Sequence, residues 1–381
     1  MIPARGRFHT LTVVDVRPLT DESIEVTFAV PADLVDDYRY LPGQNVALRA
    51  TIDGREVRRS YSLCRAPRPS TGSGTGARGS GTGGSGAGGG EISVAIKRDP
   101  GGRFSTWAQT ELHPGVPVDV MSPQGTFTTR LAELDGKHVA GIAAGSGITP
   151  LMAVATSVLE NSATSLFTLV YTNRSQTDVM FADDLADLKD RFPTRLTLHH
   201  VLSREQRAAP VLSGRIDEPK LRTILQRLLP PETVDEWFLC GPIELVQMCR
   251  DVLEDSGVDR AHVRFELFTT GEEHEEPARL IEVRADEPTY AFDFTLDGQS
   301  SHVDSPLVAR ESLLSAALRV RPDAPYSCSG GVCGTCRARL LKGSVTMTEN
   351  YALEPDEIER GYVLTCQSHP TTDHVVVDYD T

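Results

Sequence analysis

Between His9 and about Arg130, short runs alternate apolar with polar residues and are rich in valine, isoleucine and threonine. A period of two predicts strands, here over residues 9–17, 23–30, 45–52, 56–64 and 91–98, and strand following strand predicts an antiparallel barrel. From Lys137 to Thr270 the pattern changes to apolar strands separated by helical periods. Residues 139–144, 166–171, 196–202, 237–240 and 263–268 read as strands, and the intervening helices require a parallel sheet with crossovers. Residues 271–277 are acidic, lack apolar side chains and end in Pro277, which is the pattern of an interdomain linker. A small third unit then begins near Ala278, with a hairpin over 289–296 and 299–303, a helix over 311–319 and a loop carrying cysteines.

The expected organisation is therefore multidomain. An antiparallel β-barrel spans 1–134, a doubly wound α/β domain with a parallel sheet spans 135–270, a linker covers 271–277, and an α+β domain spans 278–381. A chain of 381 residues exceeds one ordinary core, which agrees with three units. Residues 70–90 are almost wholly Gly, Ser and Thr and interrupt two barrel strands. They read as a surface loop, tolerated because closure entropy grows slowly with length.

Charge narrows the partners. The formal net charge is −15 with no long basic run, which disfavours nucleic acid and anionic membranes and favours a basic protein surface. Residues 139–159 carry no charge over about a bilayer's length, but Gly145-Ser146-Gly147-Ile148-Thr149-Pro150 divides them into strand, turn and helix. No apolar segment follows the basic start of the chain, so a cytoplasmic location is expected, where clustered thiols more often bind metal than form disulfides.

Four of the seven cysteines, Cys328, Cys333, Cys336 and Cys366, follow the C-x4-C-x2-C…C spacing of a plant-type [2Fe–2S] cluster. Gly330, Gly331 and Gly334 would let the loop wrap tightly and turn backbone N–H groups toward the sulfurs. A structural zinc site or two disulfides are the alternatives, and zinc knuckles use shorter spacings.

Gly145, Ser146, Gly147, Thr149 and Pro150 form the first strand–helix turn of the alternating domain, where a dinucleotide pyrophosphate can meet a helix N-terminus. A purely structural turn is the alternative. Ser203 and Arg204 follow the third parallel strand and could hold an adenosine 2′-phosphate, or could form a solvated loop. Arg174, just past the second strand, is a further candidate cofactor contact. Cys240-Gly241-Pro242 ends the fourth strand, with a buried structural thiol as the bland reading of Cys240. In the barrel, Arg58 and Arg59 are adjacent on an apolar strand, which is costly without an anion such as a flavin pyrophosphate. Gly102, Arg103, Phe104 and Ser105 open a short helix that could receive the same phosphates, with Ser105 alternatively a simple N-cap.

Taken together these motifs resemble the ferredoxin–NADP reductase superfamily, in the branch with a C-terminal β-grasp ferredoxin domain. The resemblance implies FAD, NADPH (or NADH) and a [2Fe–2S] cluster as cofactors. It implies flavin contacts from Arg59, Ser60, Tyr61 and Ser62 and from the turn Gly102–Ser105, with Ser62 near the flavin N5. It places Cys240, Gly241 and Pro242 beside the nicotinamide and makes Glu266 and Phe268 the motif closing the reductase module, with Ser62, Cys240 and Phe268 at the reacting centre. The runs 347–357 and 361–367 are similar to the reductases of phenylacetyl-CoA epoxidases. That similarity implies an oxygenase partner, a di-iron epoxidase complex that itself binds the CoA ester. Reductases of aromatic-ring or steroid hydroxylases, and an electron carrier or redox sensor without NADPH turnover, are the other readings.

Overall fold

The computed structural model describes residues 7–67, 90–128, 131–268 and 287–381. The Gly/Ser run as far as residue 89, the linker at 271–277 and the expected start of the third unit at Ala278 lie outside those residues.

Six antiparallel strands come first: β1 (Phe8–Thr20), β2 (Ser23–Val30), β3 (Asn45–Ile52), β4 (Arg55–Ser62), β5 (Gly90–Lys97) and β6 (Pro117–Met121). Their order in the sheet is β4-β3-β6-β1-β2-β5. An antiparallel bridge between Leu63 and Val94, with Cys64 N–H donating to Ser93 O, joins the two outer strands, so the sheet curls into a barrel. Leu11, Phe28, Leu48, Val94 and Ile96 fill its interior. Strand β6 was absent from the sequence pattern because it is only five residues long and opens on a proline. Pairing with β1 and β3 places it. Helix α1 (Arg103–Glu111) lays Phe104 and Ala108 on the barrel core.

The second unit has five parallel strands, β7 (His138–Ala144), β8 (Leu166–Asn173), β9 (Leu196–Leu202), β10 (Glu236–Pro242) and β11 (Val263–Phe268), in the order β11-β10-β7-β8-β9. Helices α2 (Ile148–Asn161), α3 (Ala182–Arg191), α4 (Glu218–Arg227) and α5 (Ile243–Asp255) cover the two faces. Along β7, Val139 and Ala143 join one apolar cluster while Ala140 and Ile142 join the other, as a strand buried on both sides requires. The chain leaves β7 toward β8 and returns at β10 on the opposite side. The C-terminal ends of β7 and β10 therefore flank the topological switch point. The uncharged stretch 139–159 is β7, its turn and most of α2, and no helix among the described residues is long and apolar enough to cross a membrane.

The third unit contains β12 (Thr289–Leu296), β13 (Gln299–Pro306), β14 (Arg337–Lys342), β15 (Val345–Met347), β16 (Tyr362–Leu364), β17 (Ser368–Pro370) and β18 (His374–Asp378). Its main sheet runs β13-β12-β18-β14-β16, and β18 enters the middle parallel to β12. Helix α6 (Leu313–Val320) packs Leu313, Leu314, Ala316 and Ala317 with Phe292, Phe294, Val375 and Val377. It starts two residues later than the pattern predicts because Ser312 caps it, accepting from Ser315 N–H. The short α7 (Pro355–Glu359) follows the cysteine loop.

Barrel and nucleotide unit are locked by shared charges. Glu25 of β2 is 4% exposed, and its carboxylate accepts from both Arg17 and Arg65, which also reach Asp184 on α3. Burial alone would raise the Asp184 pKa, but hydrogen bonds from Arg17 and Arg65 outweigh it and hold the carboxyl below its usual value. Each buried charge thus has an opposite partner, without which burial would be prohibitive.

Candidate functional site

At the end of β7, Gly145 takes a left-handed conformation, with φ of 54°, and the chain turns directly into α2. A Cβ on Gly147 would stand 2.1 Å from Cys240 O, so the turn lies against the end of β10 with no room for a side chain. The turn is pinned by Tyr171, whose hydroxyl donates to Gly145 O at 2.9 Å, and by the Thr149 hydroxyl, which donates to Ser146 O. The Lys97 ammonium, from the end of β5, lies 3.8 Å from the position a Cβ on Gly145 would occupy. Burial, and then the charge of Arg174, lowers the Lys97 pKa. A cation beside a helix N-terminus suits a pyrophosphate. The strand pattern alone did not single out Lys97, although it closes β5 and so reaches the neighbouring unit.

Loops after β8 and β9 run side by side, Ser203 N–H donating to Asn173 O and Arg204 N–H to Arg174 O. Arg204 is exposed, and its guanidinium has no hydrogen-bond partner among the described residues. Arg174 differs, donating to Asp178 at 2.6 Å and to Glu22 of the barrel at 2.8 Å. As placed here, Arg174 joins the two units.

Alternation along β4 separates the two adjacent arginines. Arg59 and Tyr61 share the face turned to α1, where the Tyr61 and Phe104 rings lie 5.7 Å apart. Arg58 takes the opposite face, is 2% exposed and is paired with protein groups rather than an external anion. The anion that the adjacent arginines call for is, at Arg58, the Glu56 carboxylate. Gly102, not Ser105, is the N-cap of α1. The Ser105 hydroxyl lies inside the first turn, accepting from Asp99 N–H at 3.0 Å and donating to Gly102 O. Arg103 donates to Ile52 O and Asp53 at 3.4 Å.

Where the barrel meets the sheet, the Ser62 hydroxyl donates to Glu266 Oε2 at 2.8 Å and Asn45 Nδ2 to Glu266 Oε1 at 3.4 Å. Ser60 donates to Asn45 Oδ1 at 3.0 Å, and the Cys240 thiol stands 4.0 Å from Glu266. Cys240 pairs with Glu266, and Pro242 with Phe268, across adjacent parallel strands. Ser62, Cys240, Glu266 and Phe268, far apart in sequence, are therefore brought to one junction. Asn45 was missed, because nothing local distinguishes an asparagine that opens a strand.

Burial, and then the Glu266 charge, drives the Cys240 pKa well up, so this thiol is not activated as a thiolate nucleophile. Burial pushes Glu266 up to about 7, against the hydrogen bonds from Ser62 and Asn45. Its folded pKa thus exceeds the unfolded carboxyl value of about 4.3. The stability it contributes is complete below that value and is lost as pH rises through about 7. Thermal unfolding should therefore show a loss of stability as pH rises through about 7. Glu266→Gln should lose that inflection; an unchanged inflection would assign it elsewhere.

In the cysteine loop, Gly331 and Gly334 adopt positive φ, of 77° and 65°, and Ser329 does so in place of Gly330. Gln367 Nε2 donates to Ser329 O at 2.7 Å and Tyr351 N–H to Gly331 O at 3.1 Å, holding the wrap. The thiols approach in pairs, Cys328 with Cys333 and Cys336 with Cys366. A hydrogen bond from the Cys333 thiol, then backbone N–H groups of Val332, Gly330 and Cys333, lowers the Cys328 pKa, while Cys333 and Cys366 are raised by their partners. Four thiolates cannot coexist here without positive charge between them. Among the described residues no three His, Cys, Asp or Glu side chains close around one ion. Two pairs of thiols, with amides aimed at sulfur, fit two bridged irons.

Residues 294–371 match the 2Fe-2S iron-sulfur cluster binding domain, and residues 142–251 match the oxidoreductase NAD-binding domain. The chain is 41% identical over 377 residues to one of the subunits of 1,2-phenylacetyl-CoA epoxidase from Escherichia coli (strain K12), covering 98% of both chains. It is 33% identical over 378 residues to the 3-ketosteroid-9-alpha-monooxygenase ferredoxin reductase component of Mycobacterium tuberculosis, covering 97% of this chain and 95% of that one. Phthalate dioxygenase reductase has the same fold, with a TM-score of 0.55 at 20% identity over 97% of this chain and 98% of that chain.

The fold and site define an electron-transfer oxidoreductase with a pyridine-nucleotide domain and a [2Fe–2S] cluster domain. The chain belongs to the ferredoxin–NADP reductase superfamily, in the branch of oxygenase reductases that end in a [2Fe–2S] domain. Both the Escherichia coli and the Mycobacterium tuberculosis relatives are components of oxygenase systems.

Proposed function

We propose that this chain carries electrons from NADPH to a di-iron phenylacetyl-CoA epoxidase, and that it divides at 1–134, 135–270 and 278–381 around the linker at 271–277. The full-length identity of 41% to the Escherichia coli epoxidase component carries the choice of partner. When bound, the three cofactors supply hydride donation, conversion of an electron pair into single electrons, and one-electron carriage.

The residues' work is to hold and orient. Arg59, Ser60, Tyr61 and Ser62, with the turn Gly102, Arg103, Phe104 and Ser105, hold the flavin. Gly145, Ser146, Gly147, Thr149 and Pro150 receive the dinucleotide, helped by the nearby Lys97. Gly241 and Pro242 shape the nicotinamide edge beside Cys240, and Phe268 screens it from water. Cys328, Cys333, Cys336 and Cys366 ligate the cluster.

Support for NADPH is the exposed Arg204 beside Ser203, a cation and a hydroxyl suited to a 2′-phosphate. Arg204→Ala is expected to raise KM for NADPH roughly tenfold and leave that for NADH within about twofold, as loss of one charge-assisted contact predicts. Equal effects on both nucleotides would remove the 2′-phosphate assignment. The partner is tested by coupled turnover: purified phenylacetyl-CoA epoxidase should consume its substrate with this reductase and NADPH. Selective reduction of a ketosteroid monooxygenase would instead assign the chain to that partner.

A further inference from the structure

Arg58 is one of the largest fully buried side chains of the described residues, yet it carries a charge and five N–H donors. Such a group persists inside a protein only where its charge and donors are satisfied. Its own barrel supplies Glu56, 2.8 Å away. The barrel also lays the Phe8 ring 5.1 Å from the guanidinium, and the remaining hydrogen-bond acceptors and the nearer ring belong to the third unit. Arg58 donates to Pro322 O at 3.1 Å and Ala324 O at 3.4 Å, and its guanidinium lies 4.2 Å from the centre of the Tyr326 ring. Tyr326 precedes Cys328 by two positions. On the same face of β4, Ser62 holds Glu266 at the reductase junction. One strand thus connects that junction with the segment that enters the cysteine loop.

A second arginine grips the other side of the loop. Arg250 of α5 donates to both carboxylate oxygens of Glu354 at 3.1 Å and lies over Phe265 at 3.9 Å. Glu354 follows Tyr351, whose N–H holds Gly331 O. Val332 is buried in the same apolar cluster as Trp237 and Leu267, with Cys328 and Tyr351 packed against it. Arg250 and Glu354 are 22% and 34% exposed, so salt screens them, whereas Arg58 is shielded.

We propose that Arg58 is a positioning residue for electron transfer within the chain: it clamps the cluster-bearing loop to the flavin-holding strand, with Arg250–Glu354 as the weaker, salt-sensitive second clamp. This rests on the reading of β4 as the flavin strand and of the four cysteines as cluster ligands. The step served moves one electron from reduced flavin to oxidised cluster with no bond made. A second such step, after the oxygenase has taken the first electron from the cluster, completes the pair delivered by one hydride.

The test is anaerobic rapid mixing of the holoprotein with NADPH, following flavin and cluster absorbance separately, together with small-angle X-ray scattering. Arg58→Ala is expected to leave flavin reduction within about twofold of wild type and to slow cluster reduction at least tenfold, since small displacements of reacting groups cost rates of that order. Its radius of gyration should rise. Arg58→Lys should recover part of the rate, because an ammonium reaches a carbonyl but cannot reproduce the planar fork. Glu354→Gln should slow cluster reduction about two- to threefold, and wild type in high salt should match it. If Arg58→Ala does not fold, the lysine and Glu354 variants carry the test. Wild-type cluster reduction and scattering in every variant that folds would overturn the clamp. A wild-type protein purified without flavin or cluster absorbance would instead refute the cofactor reading beneath it.

Discussion

Cys366→Ser is expected to erase the visible and paramagnetic signature of the cluster and lower oxygenase-coupled turnover by at least two orders of magnitude, roughly the scale set by loss of a required cofactor site. Reduction of ferricyanide by the nicotinamide should persist within about twofold, because that dye takes electrons from flavin directly. The geometry supplies the reason. Cys366 is buried opposite Cys336, and the two are held together by Thr365, whose N–H and hydroxyl both donate to Cys336 O. Tyr379 in turn donates to the Thr365 hydroxyl at 3.0 Å. Serine would fit the space but substitutes a poor ligand for thiolate. The check is electron paramagnetic resonance on the reduced protein beside both assays. An intact signal in Cys366→Ser would remove this residue from the ligand set.

Gly147→Ala should be the most damaging single methyl in the nucleotide unit. Its φ is −62°, which any residue accepts, so backbone strain is not the cause. The obstacle is steric. The new Cβ would lie 2.1 Å from Cys240 O, 2.5 Å from Cys240 C and 2.9 Å from Gly241 N, all backbone atoms in a central parallel strand. Relieving that contact means separating the β7 turn from the end of β10, where the strands flank the switch point. Overpacking of this sort costs about 1–3 kcal/mol, and the displaced turn should raise KM for the nucleotide roughly tenfold or more. Thermal unfolding and nucleotide titration measure the two effects. Gly101→Ala is the natural contrast: no atom within 4 Å would meet its Cβ, although its φ of 80° brings a strain cost instead. A Gly147→Ala protein with wild-type melting and KM would mean that the two strand ends part at no cost.

Much of this was legible in the chain because it depends on near neighbours. Alternation marked five of the six barrel strands, and continuous apolar runs separated by helical periods marked all five parallel strands. The spacing of Cys328, Cys333 and Cys336 sets out one tight loop, and Gly145–Pro150 one strand–helix turn. In each case the residues that carry the chemistry are close enough in sequence for their own backbone to bring them together.

Other features depend on residues hundreds of positions apart, and these only packing could decide. Alternation shows that Arg58 and Arg59 point to opposite faces, but not that a third unit would supply carbonyls and a ring to Arg58. Asn45 looks like an ordinary strand residue, and the bond from Ser62 to Glu266 is invisible in sequence, until β11 brings Glu266 against them. Strand β18 is a short apolar run whose place between β12 and β14, parallel to one and antiparallel to the other, follows from the hydrogen bonds those strands leave open. Local pattern limits which elements a chain can form. Which elements meet, and so which side chains lose water and must find partners in one another, is settled by long-range burial, and here that decides the pKa of Glu266 and the task of Arg58.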